Sequence, residues 1–176
     1  VPYGNQRTPT AQWTATAAGC TILGGEGPGP YVTHVLCGKI VDKGIKDVNN
    51  MGAAMAPAAY DTLSAFFRDT RTLPQDYDLI LTGDLGKLGH AIVQDFFARD
   101  GIDMTKNYQD CGMLLYDLNN QDMHAGGSGC GCSASVLNGY LLSGMREGKW
   151  KRILIAPTGA LLSPTSSFQG ESIPSV

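Results

Sequence analysis

The chain has 176 residues with 13 basic and 16 acidic side chains, a net charge of −3 that gives no pull towards nucleic acid. Hydrophobic residues make up 43% and charged residues 16%, which excludes a disordered chain. The length suits one ordinary domain, and no apolar run reaches the roughly 18 residues of a membrane helix.

Val1 to Thr10 is polar and reads as an irregular lead-in. "WTATAAGCTILG", Trp13–Gly24, is small and β-branched and predicts a buried strand. "GGEGPGP" breaks both periodicities and predicts a turn. "YVTHVLCGKIVD", Tyr31–Asp42, alternates and predicts a second strand, forming a hairpin with the first. His34 falls within it as an ordinary sheet residue.

A helix is expected over about Ala53 to Arg68, because Met55, Ala59, Leu63, Phe66 and Phe67 make one apolar stripe. "YDLILTG", Tyr77–Gly83, reads as a short strand buried on both faces. "GHAIVQDFFARDG" predicts a helix closed by Gly101. His90 opens it, as a capping group or a neighbour of the ligand edge. "CGMLLYD" reads as a short strand. Ser133 to Glu147 predicts a helix with Val136, Leu137, Tyr140, Leu141 and Met145 on its stripe. "KRILIAPTG", Lys151–Gly159, is the last strand. Alternating strands and helices give an α/β layered fold with no internal linker.

The five cysteines, Cys20, Cys37, Cys111, Cys130 and Cys132, show no disulfide spacing and read as free thiols of a reducing compartment. There is no signal peptide. The chain starts at Val1 and stops at "GESIPSV" within apolar sequence, as a fragment would.

Chemistry concentrates in "MHAGGSGCGCSASVL", Met123–Leu137. Cys130 and Cys132 precede a helix, where free N–H groups favour a thiolate, and His124 is the nearest base in sequence. A Cys/His nucleophile competes with plain packing of small residues. Zinc on His124, Cys130 and Cys132, with Asp122 or Cys111, lacks the usual second ligand pair. An anion-binding loop at Gly127 and Ser128 is physically sound, yet the dinucleotide fingerprint is absent.

"TGDLGKLGH", Thr82–His90, lies where open α/β sheets place ligands, and offers Asp84 and Lys87. It reads equally well as a solvated cap for the next helix. "PTGALLSPTSS" holds the same position after the last strand and offers Thr158. The basic "MREGKWKR" at a helix end is structural, as the helix dipole expects.

"KIVDKGIKDVNNMGAAMAPAAYDTL", "YDLILTGDLG", "HAGGSGCGCSASV" and "RILIAPTGALLSPTSSFQGESIP" together resemble the stage V sporulation protein AD family of spore-forming bacteria. The resemblance covers nearly the whole chain. It implies a thiolase-like, layered α-β-α fold built from two similar halves. Residues 1–30 would then end the N-terminal half, and 31–176 would form the C-terminal half, cut at its last strand. In condensing enzymes of the ketoacyl-synthase III type, the catalytic His of "PHQAN" falls on Gly83 here. The catalytic Asn of "GNTSAAS" falls on Cys130. Gly83 cannot move a proton, and Cys130 is a weak donor for an oxyanion site. The nucleophilic cysteine of those enzymes lies in the other half.

The resemblance therefore implies no catalysis, with an active acyl-CoA condensing enzyme or thiolase relative, or a purely structural subunit of a spore membrane complex, as the alternatives. It implies binding of dipicolinic acid, with calcium possible as part of the ligand and no other cofactor, during uptake into the developing spore. It further implies a part in sporulation, transport and germination. It also implies a homodimer, other proteins of the same spore membrane complex as partners, and a peripheral place on the spore inner membrane. Asp84, Lys87, His124, Gly127, Ser128, Cys130, Cys132 and Thr158 are the candidate ligand contacts. No metal ligands are assigned.

Overall fold

"LILT" is apolar throughout, and as strand β2 (Leu79–Thr82) it is buried along its whole length. Such a strand needs cover on both faces. The computed structural model describes residues 7–176 and supplies that cover; the first six residues of the irregular lead-in lie outside them. β2 is the middle of a three-stranded parallel sheet, flanked by β3 (Tyr108–Asp110) and β5 (Ile153–Ala156). Ile80 sits opposite Tyr108 and Leu154.

Side chains alternate across this sheet. Ile80 packs with Leu63, Phe67, Val93 and Phe97, which come from helices α1 (Met51–Thr70) and α2 (Gly86–Arg99). Leu79 and Leu81 pack with Cys132, Val136 and Leu141 on the opposite face. Those come from α4 (Cys130–Val136) and from a π turn at Leu137–Leu141, which continues into α5 (Leu142–Arg146). The expected α/β fold with helices layered on both faces of a parallel sheet is thus present.

The helices follow their sequence signals, with shifted ends. α1 begins at Met51 because the Asn50 side chain accepts the Ala53 amide at 3.2 Å. Met55, Ala59, Leu63, Phe66 and Phe67 are all buried, as the stripe predicts. α2 begins at Gly86, three residues before its expected start, and closes at Gly101, which is left-handed (φ 76°). The expected single helix over Ser133–Glu147 is broken by the π turn. Its wider loop turns Tyr140 out to solvent while Leu141 is fully buried.

The expected N-terminal hairpin does not form. Only Trp13–Thr14 is a strand, β1, and it pairs in parallel with β4 (Gly127–Ser128). The segment after it turns to run against α4, which the missing side chains of Gly19 and Gly131 permit. A Cβ on Gly131 would meet the Ala17 carbonyl oxygen at 2.1 Å, and one on Gly19 the Ala134 oxygen at 2.3 Å. Tyr31–Asp42 forms no strand either; its single bridge is Val41 to Ser175. Alternation marks a segment fit for a sheet, but a strand exists only with a partner. His34 accordingly lies on an exposed segment, edge-on to Phe66, and not in a sheet.

"CGMLLYD" is also corrected. The strand is Tyr108–Asp110, and Cys111–Leu114 forms the short helix α3. The Asp110 carboxylate accepts the Gly112 amide at 3.0 Å and so caps the helix. Past β5, "PTGALLSPTSS" is a loop that ends in a short helix, α6 (Pro164–Phe168), capped by Ser163. Among the described residues, no helix is long and apolar enough to cross a membrane.

Candidate functional site

β2 and β5 run in one direction, and the loops that leave their C-terminal ends come together with the segment that follows β4. Together with residues of the N-terminal segment they enclose a cavity of about 1160 Å³. Met51 and Met55 of α1 add an apolar wall, while Asp84, Ser128, Ser133 and Thr158 add polar groups. Open α/β sheets place ligands at this edge.

A buried carboxylate holds the loop after β2 in shape. Asp110 is fully buried and accepts four hydrogen bonds. Thr82 Oγ1 (2.7 Å) and the Leu85 amide (2.9 Å) donate to Oδ2. The Gly86 and Gly112 amides, both at 3.0 Å, donate to Oδ1. Burial pushes the carboxyl above its ordinary value; the Thr82 hydroxyl and the Gly86 and Leu85 amides oppose it. Gly86 must be glycine here, with φ 67° and the Ala125 oxygen 2.7 Å from where a Cβ would lie.

The loops are tied to one another. Asp84 Oδ2 accepts the Gly129 amide at 2.7 Å. Gln12 Nε2 donates to the Asp84 oxygen at 2.8 Å and to the Gly127 oxygen at 2.9 Å. Burial is the main force raising the Asp84 carboxyl, opposed by the Gly129 amide and assisted by Asp110.

Four of the eight candidate residues line the cavity together: Asp84, Ser128, Cys130 and Thr158. Gly127 stands beside them in β4, with its oxygen on Gln12. Cys132 lies beneath, fully buried, with its thiol directed at the Gly83 oxygen 3.7 Å away. Burial pushes that thiol up to about 12, which makes it a packing group. Lys87 is exposed on α2 and is not among the lining residues.

His124 is not a lining residue either. It adopts φ 47°, with Nδ1 2.6 Å from the Thr8 oxygen and Nε2 2.9 Å from Asp122 Oδ1. Both ring nitrogens are thus engaged away from Cys130, so the two do not form a nucleophile–base pair. The zinc set is not assembled: among the described residues, no three His, Cys, Asp or Glu side chains converge as a metal would require. All five thiols stand free among the described residues. His90 takes neither expected role. It stacks on Tyr108, with ring centroids 4.5 Å apart, and is not among the residues that line the cavity.

Gly83 sits in a tight place between the two loops. A Cβ there would come within 3.2 Å of the Pro157 α-carbon and 3.4 Å of the Thr158 nitrogen. The close approach of the loops after β2 and β5 depends on that missing side chain.

The sequence reading passed over the N-terminal wall. Arg7, Thr10, Gln12, Trp13 and Thr14 all line the cavity, although "RTPTAQWT" carries no motif. The one available signal was an arginine near a tryptophan in a polar stretch.

A protein-family model described as Stage V sporulation protein AD matches residues 1–176. The Stage V sporulation protein AD of Bacillus subtilis (strain 168) is 45% identical over 175 residues. That alignment takes in 99% of this chain and 51% of the relative, so the chain spans about half the length of the curated relative it matches.

Proposed function

The chain belongs to the stage V sporulation protein AD family, and from that premise we propose that it is part of a non-catalytic sporulation protein whose cavity binds dipicolinic acid. The ligand enters alone or as its calcium chelate, for uptake into the developing spore. Dipicolinate is a flat pyridine with two carboxylates. It needs hydrogen-bond donors, a cation and an apolar slot for its ring.

The observation that carries this reading is the cavity at the strand ends. It combines hydroxyl donors at Ser128, Ser133 and Thr158 with the apolar Met51 and Met55. The absence of catalysis is inferred from the same place. Gly83 has no side chain with which to move a proton, and its surroundings are tight. Cys130 faces the cavity without a histidine partner, because both His124 nitrogens are taken.

The fold is proposed to be one half of a duplicated thiolase-like architecture, with a boundary near residue 30. The parallel sheet with helices on both faces supports this. So does the run of exposed apolar residues on either side of that point, with Ile22 93% and Val35 81% exposed. Exposed apolar residues in sequence mark a surface that meets other protein. They also favour a second reading, a structural subunit that pairs chains and docks a membrane complex at the spore inner membrane.

The test is a calorimetric titration of the intact protein with pyridine-2,6-dicarboxylate, with and without calcium, and with acetyl-CoA as control. Saturable binding of the dicarboxylate without acetyl-CoA turnover is expected. Turnover of acetyl-CoA would overturn the non-catalytic reading, and silence with every ligand would favour the structural one.

A further inference from the structure

Among the cationic side chains of the described residues, Arg7 is the one that lines the cavity. Its guanidinium lies over the Trp13 ring, 4.4 Å from the centroid, and its side chain is only 24% exposed. Trp13 lines the same cavity. Stacking on an aromatic face fixes the plane of a guanidinium and removes water from one side of it. A planar fork held this way is built to meet a planar carboxylate.

A carboxylate already meets it. Arg7 Nη2 pairs with Asp122 Oδ2, and Nη1 donates to the Asp122 backbone oxygen at 3.3 Å. Trp13 Nε1 donates to that same oxygen at 3.2 Å, which locks the pair together. Asp122 itself is 74% exposed and also touches His124 Nε2. Asp122, which is not itself among the lining residues, thus occupies the fork of an arginine that does line the cavity.

Another part of the lining has the reverse character. Asp84, tied to Gly129, is the acidic side chain of the cavity lining. A dianion placed at random in this cavity would meet that carboxyl. Only the Arg7 wall offers it a full positive charge.

We propose that Arg7, held by Trp13, is the residue that selects a carboxylate-bearing aromatic ligand, and that Asp122 competes with the ligand for it. This rests on the dicarboxylate reading of the cavity given above. Arg7 binds one carboxylate group, Trp13 orients the guanidinium, and Asp122 sets the affinity by occupying part of the same fork.

The experiment measures binding to the intact protein of pyridine-2,6-dicarboxylate and of its neutral analogue, pyridine-2,6-dicarboxamide. Arg7→Gln is expected to weaken the dicarboxylate at least tenfold and to leave the dicarboxamide within twofold. Arg7→Lys recovers part of the loss, because it returns the charge without the fork. Asp122→Asn tightens the dicarboxylate severalfold, and this variant keeps Arg7 and its stacking intact. Wild-type binding that is unchanged in Arg7→Gln overturns the role of Arg7 and leaves the dicarboxylate reading standing. A dicarboxylate affinity that stays the same or falls in Asp122→Asn overturns the competition. Failure of the wild type to bind the dicarboxylate overturns both readings.

Discussion

Asp84 Oδ2 and the Gly129 amide lie 2.7 Å apart and join two loops that are far apart in sequence. One leaves β2 and the other leads into α4. The cavity wall therefore depends on a carboxyl group whose burial raises its proton affinity.

That raised value gives a pH dependence with a definite sign. A carboxyl with a folded-state value above its unfolded one, about 3.9, adds stability that is complete below the unfolded value. The contribution is lost as pH rises through the folded value. Asp84→Asn removes the ionisation. The melting temperature of the variant relative to wild type is expected to rise from about pH 4 upwards and then level off. A difference that falls with rising pH would contradict the burial of Asp84.

Asp110 is the costlier carboxylate to lose. Asp110→Ala leaves the Leu85, Gly86 and Gly112 amides without their acceptor in a buried place, while the Thr82 hydroxyl keeps Tyr108 as a partner. Each orphaned buried donor costs about 1–3 kcal/mol. Urea unfolding should show a loss of about 3 kcal/mol or more, a large share of ordinary domain stability. Asp110→Asn keeps acceptor capacity on one oxygen and should lose less.

Gly52 and Gly89 bring α1 and α2 into backbone contact. A Cβ on Gly52 would lie 2.3 Å from the Leu85 oxygen, which is backbone and cannot swing away. Gly52→Ala should therefore push the helices apart and cost about 1–3 kcal/mol, read from thermal or urea unfolding. Gly139→Ala serves as the control, since nothing lies within 4 Å of its position. Its stability should match or exceed that of wild type.

The thiols should divide into two groups under iodoacetamide at neutral pH. Cys20, Cys37 and Cys130 are exposed, whereas Cys111 and Cys132 are buried with raised thiol values. Mass spectrometry of a time course should find the first three alkylated well before the other two. Early modification of Cys132 would mean that α4 opens readily.

The core was legible where the signal was local. The stripe of Leu63, Phe66 and Phe67 and the apolar run at Leu79–Thr82 each imply their burial from spacing alone. The predicted hairpin failed because β-propensity says that a residue suits a sheet, and not which strand it will meet. Trp13 found Gly127, more than a hundred residues away, and Tyr31–Asp42 found no ladder. The site was legible in half. Asp84 and Thr158 are suggested by strand ends and Ser128 and Cys130 by the small-residue loop before a helix, and all four line the cavity, whereas Arg7 and Gln12 reach it through tertiary packing that no motif encodes. Lys87 is expected at the same strand-end edge as Asp84, but it lies exposed on α2 and does not line the cavity.

The order of the sheet, β3-β2-β5, also sets a timetable. During synthesis β2 leaves the ribosome first and meets β3 soon afterwards, while the strand for its other edge is made only near Ile153. For that interval the open edge and the apolar face of Leu79 and Leu81 stand uncovered. Parallel pairing across so long a stretch is slow to form and prone to wrong partners. The chain should thus be most vulnerable to aggregation while it is still being made, and a chaperone that holds β2 until β5 arrives would raise its yield.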